Sequence, residues 1–221
     1  MGTDRFGRSD EYPSNSLVDY TRMDSIRVHL VNTRSLGGAC AEVGVFRGGT
    51  AELIAIDRGE IGSRCYHKER YIQKAHGEYC ERGLRPLYLF DTFTGIPYSG
   101  KHDNHHKAGD FSDTSFEEVR DRLAKYEGVS IHQGVFPRDT GSVVDDVKFS
   151  FVHLDVDVYE SYINALNVFY PRMIKGGVII CDDYSWGSTL GAKVAIDEFF
   201  ESKPEKSHNH MFHGTLVITK L

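Results

Sequence analysis

The chain has 221 residues, enough for one compact domain with a substantial core and too few for two comfortable ones. With 40% apolar and 26% charged residues it is globular in composition, and its net charge of −6 argues against a phosphate-backbone partner, since nucleic-acid binders present a basic face. The longest apolar runs, such as Gly177–Cys181, are strand-sized, so no membrane span is expected. Met1 to Asp10 is polar and carries no secretory signal. The four cysteines, Cys40, Cys65, Cys80 and Cys181, form no C-x-x-C pair, which suits a reduced, cytoplasmic protein.

Residues 1–16 read as a loose N-terminal segment and 17–221 as one domain. From Leu17 to Leu36 the apolar positions Leu17, Met23, Ile26, Leu30 and Val31 predict a helix, stopped by Gly37-Gly38. An apolar run from Ala39 to Phe46, the turn Arg47-Gly48-Gly49-Thr50 and a helix over Ala51–Ile56 form the opening of a nucleotide-binding βαβ unit. Residues 58–84 are charged and mostly helix-compatible. A second strand is predicted at Leu87–Asp91. A polar surface loop follows at 98–110, bearing His102, His105 and His106. Ser115-x-x-Glu118 reads as a capping box for a helix to about Tyr126. Further strands are predicted at Val129–Gly134, Phe149–Asp155, Gly177–Cys181 and Thr215–Thr219, with helices over 161–173 and 191–200. Strands alternating with helices throughout predict an α/β fold: a doubly wound, mostly parallel sheet with helices on both faces, its last strand parallel or antiparallel.

In such sheets ligands bind beyond the carboxyl ends of the strands, near the switch in strand order. Those exits carry Gly44–Gly49, Asp91, Gly134–Pro137, Asp155 with Asp157, and Asp182 with Asp183. The glycines do not spell G-x-G-x-x-G, so the dinucleotide signal is weak. Glu42 within the first strand needs a partner if buried. A sulfonium methyl donor, whose amino-acid end and sulfur are positive, is one such partner, and Arg47 is the other. Asp91 is placed to accept from two ribose hydroxyls, or else to cap the next turn. Asp155 and Asp182 lie 27 residues apart, about one strand-to-strand crossover, so their carboxylates can share one edge. Like charges so placed hold a proton unless a cation sits among them, and all-oxygen ligation favours Mg²⁺, then Mn²⁺ or Ca²⁺. His153 shares a strand with Asp155 and reads as a core histidine that could touch the site. His208, His210 and His213 read as exposed. Tyr184 and Trp186, following the acidic pair, are candidates for an acceptor pocket; Phe93 lines that pocket or covers the sheet.

Taken in order, these residues resemble the macrocin O-methyltransferase (TylF/MycF-type) family. The resemblance runs from Glu42-Val43-Gly44-Val45-Phe46-Arg47-Gly48-Gly49 and Leu89-Phe90-Asp91-Thr92-Phe93-x-Gly95-Ile96-Pro97 to Gly134-x-Phe136-Pro137 and His153-Leu154-Asp155-x-Asp157-x-Tyr159-Glu160-Ser161. It continues through Gly176-Gly177-x-Ile179-Ile180-x-Asp182-Asp183-Tyr184 and Gly191-Ala192-x-x-Ala195-x-Asp197-Glu198-Phe199, spanning about 17–200. The resemblance implies a Rossmann-like class I methyltransferase that uses S-adenosylmethionine and Mg²⁺ to methylate a sugar hydroxyl of a small molecule. By position it implies Asp155, Asp182 and Asp183 as metal ligands and Asp157 as general base. Glu42, Gly44 and Asp91 would hold the donor, with Ser112 and Gly134 near its nucleoside end and Thr21 and Met23 closing over it. The family habit implies a dimer or larger assembly. Residues 58–84 and the histidine loop depart from the family pattern and bear on the acceptor pocket or an oligomer interface.

Three rivals stand beside this reading. Asp155-x-Asp157 with a later Asp-Asp pair also resembles a haloacid-dehalogenase-type phosphatase, in which the first Asp is phosphorylated and the second is acid/base. That fold normally opens on its D-x-D strand, whereas three strands precede it here. A non-catalytic S-adenosylmethionine binder would not need the intact acidic quartet. A nicotinamide oxidoreductase would need the glycine fingerprint that is missing.

Overall fold

The computed structural model describes residue 13 and residues 15–58, 84–207 and 209–221. The expectation for 1–16 therefore falls almost wholly outside the described residues, as does that for 59–83. Ser16, at the end of the first segment, is tied down: its Oγ lies 2.8 Å from Thr50 Oγ1.

Helix α1 covers Tyr20–Asn32 and is followed by a 3₁₀ turn at Arg34–Leu36, so the predicted helix is broken near Thr33. Asp19 starts α1 because its carboxylate accepts from the Thr21 and Arg22 N–H groups, satisfying two orphan donors of the first turn. The chain continues through β1 (Ala39–Val43), α2 (Gly49–Asp57), β2 (Leu87–Asp91), α3 (Phe116–Leu123) and β3 (Val129–Gln133). Then come β4 (Phe149–Leu154), α4 (Tyr159–Phe169), β5 (Met173–Cys181), α5 (Leu190–Phe200), β6 (Asn209–Phe212) and β7 (Thr215–Thr219). Ser115 caps α3 as its box predicts, accepting from Glu118 N–H at 3.3 Å. Strand β6 escaped the sequence reading because Asn209 and His210 interrupt its apolar pattern.

The seven strands run in the order β3-β2-β1-β4-β5-β7-β6. The first five are mutually parallel, while β7 is antiparallel to both β5 and β6. The order reverses between β1 and β4, which puts the topological switch there. Both faces of the sheet are covered, so its central strands are apolar at consecutive positions. In β7, Leu216 and Ile218 pack with α4 and α5 around Phe169, while Val217 packs on the opposite face with α1 and α2 around Ile26 and Leu53.

Two arginines brace the amino-terminal edge of the sheet, and both are fully buried. Arg58 donates to the carbonyls of Arg85, Glu127, Gly128 and Ala55. Arg85 donates to the Arg58 carbonyl at 2.7 Å, the Leu30 carbonyl at 2.9 Å, and the Thr33 and Ser150 hydroxyls at 3.1 Å each. Each guanidinium holds the other's backbone, and together they join α1, α2, β2 and β4. No helix among the described residues is long and apolar enough to cross a membrane.

Candidate active site

Strand register places the chemistry. Val43 pairs with Leu154, and Leu154 with Cys181, so the next residues, Gly44, Asp155 and Asp182, leave the sheet at one level. Val43 also pairs with Phe90, which brings Asp91 to the same edge. Asp155, Asp182 and Asp183 each offer an oxygen, all within 4.8 Å of one another. Burial, then the Asp182, Asp183 and Asp157 charges, hold the Asp155 carboxyl well above the usual carboxylate range. Asp157 is raised for the same reasons: burial first, then Asp183 and Asp182. Burial and Asp182 lift Asp183 to about 6 against the pull of its hydrogen bonds. Its Oδ2 accepts from the Val156 and Asp157 N–H groups and from the Tyr162 hydroxyl at 2.8–3.1 Å. Asp183 thereby shapes the turn on which Asp157 sits, at φ 60°.

Two cations face this cluster. His153 is fully buried, with Nδ1 2.9 Å from Glu42 Oε1 and Nε2 3.7 Å from Asp182 Oδ1. Burial works against its charge, but Asp182 and Glu42 outweigh burial and raise its pKa to about 10. It is thus both a core residue and a link from Glu42 to the site. The partner of Glu42 is His153 rather than Arg47, which pairs with Asp113. The second cation is Arg22, whose guanidinium donates to Asp182 Oδ2. Asp182 Oδ1 remains buried with no hydrogen-bond partner among the described residues. Three convergent carboxylates and an orphaned buried oxygen make a donor set that fits a hard divalent cation.

Above the cluster lies a cavity of about 380 Å³, a volume suited to a small-molecule ligand. Gly44, Asp91, Gly134, Asp155, Asp157, Asp182, Asp183 and Trp186 line it. Gly44 is needed for packing: at φ 89°, a Cβ there would sit 1.7 Å from the Asp155 carbonyl oxygen. Asp91 orders the β1 turn, accepting from Val45 and Phe46 N–H on Oδ2 and from Phe93 N–H on Oδ1, at 2.7–2.8 Å. Burial raises its pKa despite these bonds.

Several of the expected site residues do not line the cavity. Glu42 lies beneath the cavity and does not line it, because it points along the sheet to His153. Thr21 is exposed and Met23 is in the core; at about 100° per residue, α1 turns Arg22 inward between them. Ser112 is exposed, and its neighbour Phe111 faces the cavity instead. Tyr184 turns away to bond Asp197 and Lys193 at 2.7 and 3.1 Å. Phe93 packs on Phe116 in the core.

The histidine loop is anchored at both Asp103 and Asn104. Asp103 Oδ1 accepts from Tyr159 N–H at the start of α4, and Asn104 donates to the Gly187 carbonyl at 3.0 Å. His106 lines the cavity, with Nε2 3.8 Å from Asp157 Oδ1. Sequence reasoning missed both His106 and Arg22, since each acquires its partner only through the fold. His213 is exposed as expected; the side chains of His208 and His210 lie outside the described residues.

A sheet of this order, with a ligand cavity at its switch point, is the Rossmann-like fold of the class I methyltransferases. The chain belongs to the macrocin-O-methyltransferase (TylF) family, whose model matches residues 71–211. The motif at Glu42–Gly49 lies before that range. The chain is 27% identical over 193 residues to the 8-demethyl-8-(2,3-dimethoxy-alpha-L-rhamnosyl)-tetracenomycin-C 4'-O-methyltransferase of Streptomyces olivaceus, covering 81% of this chain and 66% of that one. To the demethyldecarbamoylnovobiocin O-methyltransferase of Streptomyces niveus it is 28% identical over 205 residues, covering 86% and 70%. The chain thus spans about two thirds of the length of these curated relatives. The solved O-methyltransferase NovP shares the fold with a TM-score of 0.69 at 23% identity, covering 93% of this chain and 81% of that one. These findings leave no place for the phosphatase or oxidoreductase readings, and the D-x-D motif follows β4, beside the central β1, rather than an opening strand.

Proposed function

We propose that this chain methylates a hydroxyl of a sugar or sugar-bearing small molecule, with a divalent cation held by Asp155, Asp182 and Asp183. The observation that carries this reading is the convergence of those carboxylates on the cavity floor beside Asp157. The Streptomyces olivaceus relative, named for a rhamnosyl-bearing compound, supports the acceptor class. Gly44, Asp91 and Gly134 line the donor side, and Glu42 acts from beneath through His153.

Bound S-adenosylmethionine supplies an electrophilic methyl carbon on a sulfonium that leaves as a neutral thioether. A bound cation supplies Lewis acidity at the acceptor hydroxyl. Asp157 takes the acceptor proton; burial, then the Asp183 and Asp182 charges, raise its proton affinity. Asp183 fixes the backbone of Asp157, and His153 fixes Asp182 from below. Trp186 and Phe111 give the acceptor an apolar wall and exclude water from the transfer.

Calorimetry with S-adenosylhomocysteine, in Mg²⁺ and then in EDTA, tests the donor. Binding in the micromolar range is expected under both conditions, and absence in both would remove the reading. A screen of glycosides for methyl transfer is expected to give turnover in Mg²⁺ that EDTA abolishes. Full turnover in EDTA would remove the cation.

A further inference from the structure

Arg22 has no part in the transfer as derived above, yet four separate contacts hold it in the cavity. Besides Asp182 Oδ2, its Nε donates to Asp19 Oδ2 at 2.9 Å and its Nη2 to the Leu17 carbonyl at 3.1 Å. The guanidinium also lies 5.3 Å from the centroid of the Trp186 ring. Only 12% of the side chain is exposed. Apart from His106, the other ionisable groups lining this cavity are the carboxylates of Asp91, Asp155, Asp157, Asp182 and Asp183.

Four carboxylates at two adjacent strand exits repel one another strongly without a positive charge. Arg22 supplies one, on an oxygen of a proposed metal ligand. A dication and a guanidinium drawing on the same carboxylate weaken each other, both by sharing its charge and by direct repulsion. We infer that Arg22 is a resident counterion of the acidic cluster: it holds Asp182 when the cation is absent and is displaced when the cation binds. This rests on the cation reading of Asp155, Asp182 and Asp183. It makes Arg22 a positioning residue that lowers and tunes metal affinity. It also makes Trp186, the one tryptophan of the chain, a reporter of the exchange, because the guanidinium leaves its ring as the cation arrives.

The test is calorimetric titration of the donor-free chain with Mg²⁺, comparing wild type, Arg22→Met and Arg22→Lys, with unfolding curves to confirm that each folds. Arg22→Met is expected to bind Mg²⁺ about tenfold tighter than wild type. Arg22→Lys keeps a charge but loses the fork, and is expected to fall between; it carries the test if the methionine variant does not fold. Trp186 emission is expected to change on Mg²⁺ addition in wild type and to stay level in Arg22→Met. Asp155→Asn is expected to remove binding in both backgrounds. Equal or weaker Mg²⁺ binding by Arg22→Met, with wild type still binding, overturns the counterion role alone. Binding by neither protein overturns the cation reading and the counterion role with it.

Discussion

The two edges of the sheet bury opposite charges in opposite ways. At the amino-terminal edge Arg58 and Arg85 are fully buried, and backbone carbonyls and hydroxyls accept from both guanidinium groups. At the carboxyl-terminal edge Asp155, Asp157, Asp182 and Asp183 crowd together, with Asp182 Oδ1 and Glu42 Oε2 lacking hydrogen-bond partners among the described residues. Buried polar groups are ordinarily satisfied, so the first edge is built for stability. The second retains crowded like charges and orphaned oxygens, which a folded chain keeps where something else is to bind. Glu205 sharpens the contrast. It is a fully buried carboxylate too, but Tyr170, Lys220 and the Leu221 N–H hold it at 2.7–3.1 Å.

The comparison is most exposed at Asp182. Asp182→Ala is expected to lower turnover by about 10³-fold while leaving S-adenosylhomocysteine binding within a few-fold, read by methyl-transfer assay and calorimetry. Unchanged turnover would remove the functional side of the contrast. At the other edge, Arg85→Met leaves two carbonyls and two hydroxyls short of a donor, and is expected to cost about 3 kcal/mol in urea unfolding. Donor affinity per folded molecule should not move; a drop would tie that edge to the site.

Glu205 tests the satisfied carboxylate through pH. Burial opposes its charge, but Lys220, Leu221 N–H and Tyr170 win and hold the pKa at about 2, below the ordinary 4.5. A pKa depressed in the folded state gives stability that is present above 4.5 and lost as pH falls toward 2. Glu205→Gln is therefore expected to lower stability by about 1–2 kcal/mol at neutral pH, with the two proteins converging as pH drops through that window. A constant gap from pH 7 to 2 would show that its charge is not what matters. The smallest effect is expected at Asp91→Asn, where the amide faces either the Val45 and Phe46 donors or Phe93. Donor affinity should fall about tenfold by calorimetry, and wild-type affinity would show that the β1 turn holds without the charge.

The sheet was legible because its central strands are apolar on both faces and end on glycine or aspartate. Register then does the rest: knowing that Gly44, Asp155 and Asp182 follow strands is enough to put them on one edge. What was not legible depends on side-chain direction or long-range partners. A carry-over to Thr21 and Met23 reached the turn of α1 that faces the cavity, but Arg22 between them lines it, because one step on a helix turns the side chain by about 100°. Arg22 meets Asp182 across 160 residues, and nothing local to Arg22 signals that partner. Tyr184 follows the acidic pair in sequence, yet Asp197 and Lys193 on α5 draw its hydroxyl away from the cavity. His106 looked like one of three loop histidines until Asp103 and Asn104 fastened that loop across the cavity mouth.

That fastening gives the loop a closed outline. Its neck is a pair of backbone bonds, Ile96 N–H to the Asp110 carbonyl and Gly109 N–H to the Ile96 carbonyl, both 2.9 Å. Gly95 permits the approach, since a Cβ there would fall 2.4 Å from the Asp110 oxygen. A compact Ω-shaped segment with joined ends can exchange its interior residues without pulling on the strands that carry it. Substitutions between those joined ends can therefore reshape the wall that Pro97 and His106 give the cavity while the strand exits carrying Asp155, Asp182 and Asp183 stay in place.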